Sequence, residues 1–271
     1  MLSRARSALG KLLASYLGQP SRRYMPLATS DPIRLAAALR PADVLLVEGN
    51  TRFSTAIKYL TQSTWSHAAL YVGPIPGLAV GDQKDPPVLI EADVLHGVRA
   101  LRLSAYSAMH TRICRPIGLS GDDQQKLVAF AIGSIGKTYD LKNIVDLARY
   151  LLPTPPVPTR WRRRMLSLGS GEPTKAICSS LIAQAFQSVN YPILPQITVH
   201  PAPTPDCNDC VQERYQIRHH SLYVPRDFDI SPYFRVVKPT VEGGFDYRTL
   251  LWGGIESDTE GATRRSVAAY S

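Results

Sequence analysis

Three side chains, far apart in the chain, have the types that thiol-based acyl transfer needs: Cys178, His67 and Glu91. Cys178 falls in the first turn of a predicted helix, where unpaired backbone amides favour a thiolate over a thiol. His67 opens an apolar strand, a rigid place from which an imidazole could take the proton of the thiol. Glu91 interrupts a second apolar strand. If the two strands are neighbours, its carboxylate can accept a hydrogen bond from His67 and fix the tautomer of the ring.

Each of the three residues also has a purely structural interpretation. A cysteine in a helix is commonly a buried core residue, and a lone histidine on an apolar strand is commonly a satisfied structural group. Glu91 could face solvent on the open side of a sheet, although a carboxylate in an apolar strand is costly unless it is paired. The combination favours an active site, with Cys178 as nucleophile, His67 as base and Glu91 as the group that orients the base.

The hydrophobic pattern predicts the elements that must hold these residues. Apolar or alternating runs bounded by turn residues predict short strands, and apolar residues recurring every three or four positions predict helices. Because the strands follow one another closely, antiparallel pairing is expected. The predicted fold class is α+β, with helices on one side of a small antiparallel sheet. The strands are predicted at 44–47, 66–72, 88–94, 98–103 and 111–116, and the helices at 51–62, 120–135, 140–152 and from about 174.

Short motifs surround each of the three residues, and further motifs lie between them and towards the end of the domain. They are Trp65–Gly73 (WSHAALYVG), Ile90–Ala92 (IEA), Gly136–Asp140 (GKTYD), Ile177–Ile182 (ICSSLI), Tyr223–Asp227 (YVPRD) and Ser231-Pro232. Together they resemble the permuted NlpC-type, papain-like cysteine hydrolases of the YiiX/YaeF-like group. Unpermuted relatives carry cysteine first, then histidine, then a polar residue. The order His67, Glu91, Cys178 matches the permuted branch, and the resemblance spans roughly residues 40–235.

The resemblance implies a fold and a chemistry. The fold is circularly permuted papain-like, with the helix that carries the nucleophile packed on a small antiparallel sheet. The chemistry is that of a thiol-dependent hydrolase or acyltransferase, which cleaves an amide or (thio)ester bond through an acyl-enzyme on Cys178. We expect neither a cofactor nor a metal ion. The alternative is a non-catalytic, membrane-associated binding module built on the same fold.

Three further residues are candidates for contact with the substrate. Tyr139 resembles the tyrosine that lines the cleft in such folds, although a core aromatic is the structural alternative. Ser66 and Ser179 adjoin the base and the nucleophile in the sequence. The substrate expected from the resemblance is a small molecule, lipid or peptide with an amide or ester bond.

The chain divides into three predicted parts: a basic amphipathic segment at 1–35, the catalytic domain at 40–238, and an extension at 239–271 that is polar at its end. Before Asp31, the first part has five basic residues and no acidic residue. Such a segment can lie on an anionic membrane, target the protein to an organelle, or pack on its own domain. The basic residues are Arg4, Arg6, Lys11, Arg22 and Arg23.

Composition narrows the classes of partner and the locations that remain. The chain has 271 residues and a net charge of +9. The charge fits an anionic partner, but no nucleic-acid signature accompanies it, so no nucleic-acid partner is expected. No apolar run is long enough to span a bilayer. The predicted location is the cytoplasm, with peripheral membrane attachment as an option.

The cysteines support the same location. Four cysteines are too few for a disulfide scaffold, which favours a reducing compartment. The pair Cys207 and Cys210 could bind zinc together with His200, His219 or His220, but one such pair is a weak zinc signal. A surface turn is the simpler interpretation.

Overall fold

The structure, a computed structural model, describes residues 31–78, 85–93, 96–138, 177–202 and 209–249, together with residues 19, 28 and 207. Its helices are α1 (Pro32–Ala38), α2 (Arg52–Thr61), α3 (Gly121–Ile132), α4 (Ile177–Gln187), α5 (Pro225–Ile230) and α6 (Pro239–Glu242). Its strands are β1 (Val44–Val47), β2 (His67–Tyr71), β3 (Pro87–Asp93), β4 (Gly97–Arg102), β5 (Thr111–Pro116), β6 (Gln196–Pro201), β7 (Val211–Gln216) and β8 (Phe234–Val237). Short 3-10 helices span Leu103–Tyr106, His220–Leu222 and Tyr247–Thr249.

Six strands form one sheet in the order β4-β3-β2-β1-β5-β8. Every pairing within it is antiparallel, which confirms the predicted antiparallel sheet. All four side chains of β1 are buried, and this burial on both faces explains its uninterrupted apolar sequence. β2 and β3, the strands that carry His67 and Glu91, are direct neighbours. β6 and β7 form a separate hairpin outside this sheet.

Helices cover both faces of the sheet, so the expectation of helices on one side only is wrong. Val44 and Leu46 of β1 point into a core shared with α3 and α4, which we call the α4-side core. Leu45, the residue between them, points into a second core with Leu35 of α1, the α1-side core. The sequence pattern does not reveal α1 because this helix has only seven residues, too few for a clear helical period.

The termini of the described region pack together. α6, at the start of the predicted C-terminal extension, packs against α1. Most of the amphipathic segment predicted at 1–35, and the polar end of the extension, lie outside the described residues. Within the part of the chain that is described, no helix combines the length and apolar character needed to cross a bilayer.

The cysteine pair between β6 and β7 forms a disulfide that joins Cys207 and Cys210. Each sulfur is therefore bonded to the other rather than to a zinc ion. Disulfides persist mainly in oxidising compartments, so this bond does not favour the reducing compartment that the small number of cysteines predicts. The cytoplasmic location stays a prediction.

Candidate active site

The side chains of His67 and Glu91 meet at one end of the β2–β3 pair. Successive side chains of a strand point to opposite faces, so His67 shares a face with Ala69, and Glu91 shares one with Leu89. Ala69 and Leu89 both belong to the α1-side core. The two polar side chains consequently project from the same face, and Nε2 of His67 lies 2.5 Å from Oε2 of Glu91. Glu91 is only 2% exposed, which excludes the solvent-facing interpretation.

Cys178 reaches the same point from α4, one of the helices of the α4-side core. α4 packs on β2 and β3, and Cys178, in its first turn, is 4% exposed. The sulfur lies within hydrogen-bonding reach of the imidazole of His67 and of the backbone amide of Ala68. Because Nε2 of His67 bonds Glu91, Nδ1 is the ring nitrogen left to face the sulfur. The structure thus brings the three predicted residues together in one chain of contacts.

An interruption of the β2–β3 ladder makes the contact with the amide possible. The paired part of the two strands ends at Leu70 and Ile90. Alternate residues of an antiparallel strand donate towards the same neighbour, so the amide of Ala68 would be the next donor towards β3. It lies within hydrogen-bonding reach of the sulfur of Cys178 instead. A backbone amide that would otherwise donate to β3 therefore faces the sulfur.

The electrostatics of the site favour an imidazolium–thiolate pair. Burial raises the pKa of the Cys178 thiol, but the charge and hydrogen bond of His67 outweigh this effect and leave that pKa lowered. Burial likewise lowers the pKa of His67, but the sulfur of Cys178 and the carboxylate of Glu91 hold it well above its usual value. An opposite charge in contact with a buried group stabilises its ionised form. The arrangement therefore favours the ionised form of the sulfur, which is the form that reacts as a nucleophile.

Glu91 is held by two residues that the sequence did not single out. Arg99 lies directly opposite Glu91 in the β3–β4 ladder, and its Nε and Nη2 donate to Oε1 at 2.9 and 2.8 Å. The hydroxyl of Tyr106 donates to Oε2, the oxygen that also bonds His67. Burial raises the pKa of Glu91, yet the hydrogen bonds of His67, Tyr106 and Arg99 lower it to about 2. The carboxylate therefore stays ionised.

Polar contacts also fix the backbone that leads into His67. The hydroxyl of Ser66 accepts a hydrogen bond from the amide of Gly49 at 2.9 Å. Nε1 of Trp65 donates to Oδ2 of Asp229 at 2.9 Å. Arg112 pairs with the same carboxylate at 2.7 Å and lies over the indole ring, 4.9 Å from its centroid. The segment before the imidazole is tied to the β1–α2 turn and to α5, which limits the movement of the ring.

The three residues expected to contact the substrate have different positions. Ser66 is buried and its hydroxyl is engaged with Gly49. Ser179 is fully buried, and its Oγ lies 3.9 Å from the sulfur of Cys178, where it helps to lower the pKa of the thiol. Tyr139 lies outside the described residues. Contact of these residues with a substrate stays a prediction.

The sequence contained a usable signal for Arg99 but none for Tyr106. Two neighbouring predicted strands separated by a short turn define a hairpin, which brings basic residues of the second strand opposite the first, and the register of the structure pairs Glu91 with Arg99. Tyr106 follows in a 3-10 helix that turns back over the sheet. No periodicity of β-strand or α-helix extends to that position, so only the tertiary structure reveals the contact.

Comparison with solved structures finds a distant neighbour. No family model matches the chain, and no curated protein matches it. Among solved structures, the chain is similar to the crystal structure of the metalloprotein YiiX from Escherichia coli O157:H7, at 17% identity and a TM-score of 0.42. The match covers 74% of this chain and 97% of that one. In the described part of this chain, no group of three or more His, Cys, Asp or Glu side chains is arranged to hold a metal ion.

Proposed function

We propose that this protein is a thiol-dependent hydrolase or acyltransferase that cleaves an amide or (thio)ester bond through an acyl-enzyme on Cys178. One observation carries the proposal: the Cys178 sulfur lies within hydrogen-bonding reach of the imidazole of His67, whose far nitrogen is 2.5 Å from Glu91. A nucleophile in contact with a base, and a base in contact with an orienting carboxylate, is the arrangement that activates side-chain nucleophiles on many folds.

The proposed reaction has two steps. The thiolate of Cys178 attacks the carbonyl carbon of the substrate and forms a carbon–sulfur bond, while the carbonyl oxygen becomes negatively charged. The backbone amide of Cys178, at the start of α4, is a candidate donor to that oxygen. His67, as imidazolium, then gives its proton to the leaving amine, alcohol or thiol, and the bond to the leaving group breaks. Water or another acceptor, deprotonated by His67, attacks the thioester and restores the enzyme.

The fold we propose for this chemistry is the circularly permuted papain-like fold. The order of His67, Glu91 and Cys178 along the chain supports it. So does the layering, in which α4 packs on the two strands that carry the imidazole and the carboxylate. The substrate class remains the broad one of a small molecule, lipid or peptide with an amide or ester bond.

The proposal can be tested by trapping the acyl-enzyme. The full-length protein is mixed with a panel of activated esters, thioesters and anilides, quenched in acid within seconds, and examined by intact-protein and peptide mass spectrometry. We expect acyl adducts at Cys178 with at least one ester or thioester, and none in Cys178→Ala.

A matched control is available in Cys114, the other cysteine free of a disulfide among the described residues. Its thiol is buried, and that burial raises its pKa, so Cys114→Ala should acylate like the wild type. Equal acylation of the wild type and Cys178→Ala would contradict the proposal. Binding to lipid vesicles with no adduct on any substrate would instead favour the non-catalytic module.

A further inference from the structure

Both oxygens of the Glu91 carboxylate accept hydrogen bonds from residues outside the proposed triad. Arg99 donates twice to Oε1, and Tyr106 donates to Oε2 beside His67. We infer that Arg99 and Tyr106 are positioning residues, which keep Glu91 ionised and turned towards His67 and thereby maintain the thiolate of Cys178. This inference deepens the proposed function and rests on it.

The number of hydrogen bonds explains why the carboxylate cannot turn. An ionised carboxylate offers about four acceptor positions. Glu91 receives two hydrogen bonds on Oε1, from Nε and Nη2 of Arg99, and two on Oε2, from His67 and Tyr106. Any rotation about its terminal torsion would break several of these at once. The orientation of the His67 ring, which depends on Oε2, is fixed in consequence.

The burial of Glu91 explains why the hydrogen bonds from Arg99 and Tyr106 also affect its charge. A buried carboxylate without partners takes up a proton rather than remain ionised. Burial is the largest single influence on the pKa of Glu91 and acts upwards, and only the hydrogen bonds and the His67 charge reverse it. Loss of a donor therefore raises the pKa of Glu91. Once it is protonated, Glu91 no longer stabilises the imidazolium, and Cys178 loses the cation that keeps it ionised.

The groups that face Glu91 come from each neighbouring element. His67 approaches from β2, Arg99 from β4 and Tyr106 from the 3-10 helix Leu103–Tyr106, while Cys178 acts from α4 through His67. Asp93, on β3 itself, has Oδ2 at 3.8 Å from Nη2 of Arg99. Arg99 is the only cation in direct contact with Glu91 among the described residues besides a protonated His67. Removal of either Arg99 or Tyr106 should raise the pKa of Glu91.

The inference can be tested without a substrate, by the pH dependence of Cys178 alkylation with iodoacetamide in the full-length protein. In the wild type, thiolate reactivity should persist to low pH because the ion pair persists. In Arg99→Met the acid limb of the profile should move up by about one pH unit, so that the rate falls roughly tenfold at pH values well below the wild-type midpoint. In Tyr106→Phe the limb should move in the same direction by a comparable amount. Arg99→Lys keeps the charge and should lie between wild type and Arg99→Met.

Two neighbouring residues provide matched controls. Arg102 lies on the same strand as Arg99 but donates to the backbone oxygen of Asp85 at 2.8 Å, and Tyr71 packs against the same α1-side core as Tyr106. Arg102→Met and Tyr71→Phe should leave the profile unchanged, even where they lower the melting temperature. A profile that moves equally in the test and control variants would show a merely structural role and overturn the inference.

The two proposals fail in different ways. If wild-type Cys178 shows the profile of an ordinary thiol, the proposed function itself is wrong, and the inference falls with it. If the wild type keeps a thiolate at low pH but Arg99→Met and Tyr106→Phe match it, the proposed function stands and the inference alone is overturned. An upward shift confined to these two variants and, in part, to Arg99→Lys supports both.

Discussion

The backbone amide of Ala68 lies within hydrogen-bonding reach of the sulfur of Cys178 at the place where β2 and β3 part. A hydrogen bond from an amide to an ionised acceptor is stronger than one between neutral groups. An ionised sulfur at this position would therefore be stabilised by the sheet directly, in addition to His67. The position of the sulfur depends on the packing of α4 against β2 and β3, so the distance between Cys178 and His67 is set by the contact between that helix and those strands.

Removal of the imidazole should return the sulfur to an ordinary thiol. In His67→Ala, burial is left as the main influence on the pKa of Cys178, and burial raises it. We expect the alkylation rate of Cys178 at pH 6 to fall about a hundredfold, since only the thiolate reacts. The measurement is the iodoacetamide rate between pH 5 and pH 9, followed at the Cys178 peptide.

A second histidine provides the control for this experiment. Nδ1 of His110 lies 2.9 Å from Oε2 of Glu48, so it too is an imidazole paired with a carboxylate beside the sheet. It precedes β5 and does not contact the sulfur. His110→Ala should leave the alkylation of Cys178 at the wild-type rate. A similar fall in both variants would indicate a general loosening of the sheet and would contradict the assigned role of His67.

The low pKa of Glu91 predicts how stability changes with pH. Its pKa falls from the usual 4.5 to about 2 in the folded protein. A group with a depressed pKa stabilises the fold fully above its unfolded value, and this contribution is lost as the pH falls towards the folded value. Between pH 6 and pH 3, Glu91 should therefore account for a loss of about 2 kcal/mol in the free energy of unfolding.

Urea unfolding of the wild type and Glu91→Gln at pH 6, 5, 4 and 3 measures this contribution. Glutamine keeps the shape of the side chain but cannot titrate, so the variant should be less stable at pH 6 and lose less stability on acidification. The difference between the two proteins should shrink by about 2 kcal/mol towards pH 3. Parallel curves for the two proteins would mean that Glu91 is not held ionised by its neighbours.

Much of the site could be predicted because its chemistry leaves marks in the sequence. Glu91 interrupts an apolar strand, and such a residue needs a partner, which points to His67 on the neighbouring strand. The positions of Tyr106 and α1 could not be predicted. A 3-10 helix of four residues and a seven-residue helix are shorter than the periods from which elements are recognised, and both are placed by packing against the α1-side core.

A glycine turn beside the site carries two constraints at once. Gly97 has φ +71, a backbone conformation that favours glycine. A Cβ at this position would also overlap the backbone oxygen of Lys137, which accepts a hydrogen bond from the amide of Val98 at 2.8 Å. Gly97→Ala should therefore lower the free energy of unfolding by about 3 kcal/mol, since strain and steric overlap add.

A substitution at Gly77 separates the effect of backbone strain from that of steric overlap. It has φ +81, but nothing lies within 4 Å of a Cβ built on it. Gly77→Ala should cost only the conformational strain, about 1 kcal/mol. Denaturant unfolding of both variants measures the difference, which reports the contact between the turn and residues 136–138. Equal losses in the two variants would mean that this contact adjusts without cost.

Attachment to anionic membranes is one of the three roles predicted for the basic segment at the start of the chain, and it can be tested separately. Residues 1–30 carry five basic and no acidic side chains, and each cation near an anionic surface contributes about 1 kcal/mol. Removal of residues 1–30 should abolish co-sedimentation with phosphatidylglycerol vesicles. Neutralising Arg4, Arg6 and Lys11 to Gln should weaken it strongly, because the apolar positions alone bind less tightly.

Phosphatidylcholine vesicles and 0.5 M salt serve as controls, since both remove the electrostatic attraction. If the truncated protein sediments as the full chain does, the segment does not mediate attachment, and packing on the domain becomes the preferred interpretation of its apolar face.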